Sequence, residues 1–407
     1  MYLSFVEEWR FMKERLAQLD SLRGIAAVIV VLTHLIANAL IAVMPGFLRQ
    51  ALTATLSPFS VLTNGRAAVI SFFILSGFVL SLPILQEGRI HYSSYLVRRF
   101  FRLYIPYLAA IALSLIFYSL CRHHLPIGAL SDDVNHTWLS IHPSVIWEHI
   151  IAVGSIHSSE IDVVIWSLVH EMRISIVFPF VVLLLKDARW FYSIAIGMAL
   201  SALGIANSYF HWQTYEGMPT TLFDSLHYLN FFIIGMLLAK HRMAIIRFYT
   251  NLSRRIRIGV LAGAFIFYNY AIAPVIVLKE VVSKHAAIEW ASYMMLGEWI
   301  TAIGVIGFIV IALSSAAAKK LLTRRAPLFL GNISYSLYLY HFPIMLLLIF
   351  TLYGAVPLTL LMGISFTLSI GISYISYRWI EKPSIALGRF LTRERKKTTE
   401  AGYPAAN

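Results

Sequence analysis

The sequence predicts an all-α fold: a polytopic transmembrane bundle of about ten spans with both termini in the cytoplasm. Three observations predict it. The chain of 407 residues is 59% hydrophobic and only 13% charged, where a soluble globular protein carries roughly 25% charged residues. Apolar runs of about 20 residues, each long enough to cross a ~30 Å hydrocarbon layer as a helix, recur from end to end. Lys and Arg fall almost wholly on one side of those runs.

The runs place spans at 22–43, 67–85, 103–121, 163–185, 190–206, 222–239, 258–278, 300–318, 328–352 and 356–379. Segment 144–156 is apolar but short and holds Glu148 and His149, so it reads as an interfacial helix. Ala37 and Ala39 give the A-x-A spacing of a signal-cleavage site. The apolar stretch exceeds the ~7–15 residues of a signal core, and the first span is expected to stay. The chain divides into a cytoplasmic arm (1–19), a transmembrane domain (20–383) and a basic tail (384–407), read as solvated near anionic headgroups.

A net charge of +13 raises the prospect of nucleic acid, and its distribution removes it. With the N-terminus inside, the outer side keeps only Arg49, Arg66, Arg122, Lys279 and Lys284 of the 33 Lys and Arg residues, and Arg173 lies within a span. That is the positive-inside bias of a membrane protein, whose partner is the lipid bilayer. The single cysteine, Cys121, cannot form an internal disulfide. The outer loop 122–162 gathers His123, His124, His136, His142, His149 and His157 with Asp132, Asp133 and Trp138, without a ligand spacing such as H-x-x-x-H, so it reads as a lid or acceptor-recognition loop and no metal is expected.

A charge at mid-membrane costs roughly 2.5–3.5 kcal/mol on insertion scales, which makes each buried ionisable residue a candidate for function. His34, Glu171, Arg173 and His341 lie at depth. Arg23 and His34, eleven residues apart, return to within about 20° of one helix face while separated by ~16 Å along the axis. Arg23 thus sits at the cytoplasmic rim, and His34 reaches the depth of Glu171 and His341. An imidazole suits removal of a hydroxyl proton during acyl transfer, or transient capture of the acyl group. Glu171 would orient the ring as the third member of a triad does. A lone histidine on an apolar helix is ordinarily a hydrogen-bonded core residue; the aligned Arg23 and the buried carboxylate argue for more here.

Arg98-Arg99-Phe100-Phe101-Arg102 precedes the third span, with Arg99 and Arg102 sharing a helix face. Guanidinium pairs bind phosphates, such as those of a cytoplasmic CoA thioester, and arginines on this side equally serve topology. Leu75-Ser76-Gly77-Phe78 reads as close helix packing. Tyr335, Tyr338 and His341 recur at threes on one face, which fits a cavity lining or plain packing. Trp166 and Ser167 are a belt residue and a helix cap, or contacts to an acceptor.

With these residues together, the chain resembles acyltransferase family 3, the bacterial membrane O-acyltransferases that act on polysaccharides, lipopolysaccharide and related acceptors. The match runs through Leu19-Asp20-Ser21-Leu22-Arg23-Gly24-Ile25-Ala26-Ala27 to His34, then Phe72-Phe73-Ile74-Leu75-Ser76-Gly77-Phe78 and Arg98 to Tyr104. It continues with Trp166-Ser167-Leu168 and Glu171, Ser334 to Tyr338 with His341 and Pro343, and Ile380-Glu381-Lys382-Pro383. The resemblance implies that Arg23 and His34 are required, that Arg99 and Arg102 serve the CoA side, and that Glu171 belongs to the site. Met172 stands where many relatives have a second acidic residue, which puts a paired-carboxylate mechanism in doubt, and Ile70 where some have an acidic one.

The expectation is an O-acyltransferase of a bacterial inner membrane, an enzyme of the EC 2.3.1 type. His34, Glu171 and Arg23 would be catalytic, and Arg99, Arg102, Trp166, Ser167, Tyr338 and His341 would bind substrate. Acyl-CoA, most often acetyl-CoA in similar proteins, would be the donor, with no permanently bound cofactor. A carbohydrate or glycolipid would accept, and a homo-oligomer stays open. The alternative is a proton-coupled transporter or glycan flippase using the same residues, against which the sequence shows no inverted repeat.

Overall fold

The structure, a computed structural model of the chain, describes residues 16–40, 43–88, 90–121, 127–128, 130–154, 157–214, 217–282 and 290–393. Helix α1 (Ala17–Thr33) runs directly into a π turn, His34–Ala39. There follow α2 (Gly65–Glu87) and α3 (Tyr92–Leu120). Three short helices, α4 (Asp132–His136), α5 (Pro143–Ile151) and the single turn Ser158–Ile161, lie in the long connection to α6 (Ile165–Leu185). Next come α7 (Trp190–Phe210), α8 (Leu222–Asn251), α9 (Arg254–Asn269), α10 (Ile272–Val282) and α11 (Trp290–Ser314). The chain continues through α12 (Arg325–Leu352), α13 (Leu358–Ser376), a π turn at Tyr377–Glu381, and α14 (Lys382–Leu391).

Among the described residues, nine helices are long and apolar enough to cross a membrane, and the α9–α10 pair makes a tenth if it is one span. The chain is a multi-pass helical membrane protein. The α9–α10 pair is bent by 50°, inside the predicted span 258–278. Pro274 explains the break: it has no N–H for the Tyr270 carbonyl, so the helix cannot run through, yet it is tolerated in the first turn of α10.

Two helix pairs form the centre, α1 with α12 and α2 with α8. Both are drawn tight by glycine. A Cβ on Gly24 would overlap the backbone nitrogen of Gly331, and one on Gly331 would overlap Asp20. Gly77 likewise lies against the backbone of Phe232, and Gly235 against that of Ile74 and Phe78. Close backbone approach of this kind replaces hydrophobic driving force in lipid, and it accounts for the Ser76-Gly77 pair read from the sequence.

A polar network ties α2, α7, α8 and α11. Arg66 Nε donates to Glu298 Oε1 at 2.5 Å, Glu298 Oε2 meets His227 Nε2 at 2.7 Å, and His227 Nδ1 meets Ser201 Oγ at 2.6 Å. Trp299 Nε1 donates to the same serine at 2.9 Å. Glu298, His227 and Ser201 are buried. Bonded across four helices in this way, the buried ionic set acts as a strut.

Residues 384–391, expected in a solvated tail, belong to α14, and 394–407 lie outside the described residues. Pro383 opens the helix where a missing N–H costs nothing. Ser384 Oγ donates to the Phe101 carbonyl and Gly388 sits against Phe101, so one face packs on α3. Leu387, Phe390 and Leu391 stay exposed on the other. In the sequence, basic residues interrupt this amphipathic pattern.

Candidate active site

α1 and α12 start at the same end of the bundle and bring His34 and His341 together. His341 Nε2 lies 3.0 Å from His34 Nδ1, with ring centroids 5.0 Å apart. His34 Nδ1 is also 3.0 Å from the Val30 carbonyl, and His341 Nδ1 is 3.0 Å from the Leu337 carbonyl. Carbonyl oxygens only accept, so both Nδ1 atoms carry the proton. His341 Nε2 is then a lone pair that accepts from His34 Nδ1–H, which leaves His34 Nε2 as the basic nitrogen. His341 is fully buried and His34 half-buried. The π turn that begins at His34 is a distortion frequent at functional sites.

Glu171 does not meet His34. Its Oε1 accepts from Ser76 Oγ at 3.1 Å and from Arg99 at 3.2 Å, and Arg99 also donates to Ser175 Oγ at 2.6 Å. A carboxylate at this depth requires a cation, and α3, which carries Arg99 well inside its length, is packed against α6 to supply it. Glu381, the acidic residue of the Ile-Glu-Lys-Pro segment, is buried, accepts from Ser336 Oγ at 2.8 Å, and lies in electrostatic range of Arg102 and Arg23.

Ser76 and Arg99, with Arg23 and Arg102, line a cavity of about 750 Å³, behind which Glu171 and Glu381 are set. Arg23, Arg98, Arg99 and Arg102 face it from α1 and α3, and Arg389 and Arg393 from α14 and the residues after it. The six arginines exceed what Glu87 in the lining and Glu171 and Glu381 behind it balance, which makes the cavity a receptor for a polyanion.

Arg23 also borders a narrow void of about 20 Å³ lined by Phe72, Phe73, Ser167, Glu171, Tyr335 and Tyr338. The Arg23 guanidinium lies 5.9 Å from the Phe72 ring, Phe72 is 5.7 Å from Tyr338, and Tyr338 is 6.2 Å from His341. A line of aromatic contacts thus joins the arginine cavity to the histidine pair. Tyr338 is fixed there: its hydroxyl donates to the Val164 carbonyl at 3.0 Å and lies 2.7 Å from Ser167 Oγ. Trp166 is buried against His170 and Tyr228, away from a membrane belt.

Arg173 serves structure. Its guanidinium donates to the carbonyls of Val153, Gly154, Thr220 and Thr221 and to Ser225 Oγ, and joins two loops to α6. Opposite the arginine cavity, the loop holding α4 and α5 is pinned by Trp138, whose Nε1 donates to Ser114 Oγ at 3.0 Å and to the Ile161 carbonyl at 2.9 Å. Burial pushes the Asp162 carboxyl well above the usual carboxylate range and lowers the His149 imidazole below its ordinary value. Among the described residues, no group of three or more His, Cys, Asp or Glu side chains could hold a metal ion; His123 and His124 lie outside them.

Fold and site define a polytopic membrane protein whose hydrogen-bonded histidine pair stands behind an arginine-lined cavity. Residues 16–378 match the sequence model of the acyltransferase 3 family, described as an acyltransferase domain, and the chain belongs to that family. It is an acyltransferase. No curated protein and no solved structure matches the chain. Helix α14 lies beyond the matched segment.

Proposed function

We propose that the enzyme moves an acetyl group from cytoplasmic acetyl-CoA to a hydroxyl of a carbohydrate or glycolipid in a bacterial inner membrane. The observation that carries this reading is the arginine cavity and its aromatic path to His34. The cavity offers guanidinium groups, among them those of Arg23, Arg99 and Arg102, to the pyrophosphate and phosphate of CoA. The thioester end would follow Phe72 and Tyr338 toward the histidines.

His34 Nε2 takes the proton of the acceptor hydroxyl as its oxygen attacks the thioester carbon. The C–S bond then breaks, and the imidazolium returns the proton to the CoA thiolate. His341 holds the tautomer that leaves Nε2 basic. Glu171 fixes Arg99 at the inner end of the cavity.

Membranes containing the chain, supplied with radiolabelled acetyl-CoA, test the reading. The expected result is release of CoA thiol together with label in base-labile glycan esters, both lost in His34→Ala. Thiol release and labelling that persist in His34→Ala would overturn it.

A further inference from the structure

A histidine that accepts a proton from a hydroxyl becomes a cation, and a cation inside a helical bundle needs a counter-charge. The groups hydrogen-bonded to the His34 ring do not supply one. The Val30 carbonyl and His341 are neutral, and Glu171 is bound to Arg99 and Ser76. The loop between α3 and α6 does. Helix α4 packs directly on the π turn that begins at His34, and the carboxylate of Asp133 on α4 lies within electrostatic range of the His34 ring.

The position of Asp133 is built. Ser131 Oγ caps α4 by accepting from the Val134 N–H, and Thr137 Oγ1 donates to the Asp133 carbonyl at 2.6 Å. Val134, Thr137 and Trp138 are all fully buried, and Trp138 anchors the loop to α3. The backbone of Asp133 is therefore held against the π turn by residues on both sides of it. Other ionisable groups around the turn are Asp132 and His136 on α4 and His341 and Tyr338 on α12. The 3₁₀ turn Pro58–Thr63 that touches it carries none, and the ionisable residue of α13, Tyr374, stands at the far end of that helix.

We propose that Asp133 is a positioning residue, the counter-ion of His34 during acyl transfer, delivered by the loop on the side opposite the donor cavity. This rests on the reading of His34 as the base. It assigns the carboxylate of a triad-like set to α4 and leaves Glu171 to the donor side. It also makes the loop part of the chemistry: with α4 seated on the π turn the base has its counter-charge, and with α4 displaced it does not.

Diethyl pyrocarbonate, which modifies only neutral imidazole, tests the pairing without any acceptor. The rate of modification at His34 is followed against pH in the purified full chain by peptide mass spectrometry. Asp133→Asn, nearly isosteric, is expected to move the half-maximal pH for His34 down by about one unit, as loss of a nearby opposite charge does. Asp133→Glu restores most of the shift, and Asp132→Asn leaves the profile in place. In acetyl-CoA consumption by membranes, Asp133→Asn lowers kcat with little change in KM. An unmoved profile in Asp133→Asn, or an equal shift in Asp132→Asn, overturns the pairing. A shift that occurs in a protein unable to consume acetyl-CoA would sustain the pairing and overturn the acyl-transfer reading instead.

Discussion

His341 Nε2 accepts from His34 Nδ1 at 3.0 Å, so the proton position on one ring is dictated by the other. The two rings are not interchangeable. His34 keeps a free basic nitrogen and partial exposure; His341 is fully buried with its remaining nitrogen on a carbonyl.

That inequality predicts different losses. His34→Ala should lower acetyl-CoA consumption by about 10³-fold, the usual weight of a general base. His341→Ala should cost on the order of 10²-fold, because the base survives with its tautomer no longer imposed. Steady-state rates in membranes of matched expression check this; equal losses would show that both rings do chemistry.

The donor cavity makes a separate prediction. Arg102→Gln should raise KM for acetyl-CoA about tenfold at unchanged kcat, since one charge-assisted phosphate contact is worth about 1.5–3 kcal/mol. Raising the salt concentration should shrink the difference between wild type and variant. Arg99→Ala should instead destabilise the fold, because it strands Glu171, 6% exposed, without its cation. Thermal unfolding in detergent distinguishes the two variants.

Glu298→Ala should reduce stability by about 3–5 kcal/mol, since it leaves Arg66 and His227 without their shared partner. KM for acetyl-CoA should be unaffected in the protein that remains folded. A change in KM would link this strut to the donor cavity.

Asp162 gives the pH dependence. Burial raises its carboxyl well above the ordinary range, against an opposing hydrogen bond from the Val164 N–H. The folded chain therefore holds this proton to higher pH than the unfolded chain does. The resulting stability is full below the ordinary aspartate value of about 3.9 and is lost as pH rises through the raised one. Asp162→Asn mimics the protonated acid and should flatten the fall in thermal stability over that window. A variant with the wild-type slope would refute the assignment.

Helical spans and the depth of His34, Glu171 and His341 were legible in the sequence because lipid imposes a length and makes buried charge conspicuous. The pairing of those residues was not. Depth places Glu171 beside His34, but the azimuth of α6 turns it toward α3, where Arg99 meets it. Glu298 and His227 fall seventy-one positions apart on separate helices, with no local pattern to join them. Asp133 stands out in the sequence only as one member of a polar loop cluster, with nothing to tie it to His34. Its role depends on where a loop of irregular composition folds back, which periodicity does not encode.

Gly24 and Gly331 each precede their histidine by the same number of residues on helices that run side by side in the same direction. The glycine contact therefore works as the zero mark of two identical rulers, with His34 and His341 both read at about 15 Å. A slip of one turn, about 5.4 Å, would pull the ring nitrogens out of hydrogen-bonding range while leaving both helices intact. The smallest residues in the pair thus set the alignment of the largest chemical event, and an alanine at either position would misplace the base without touching it.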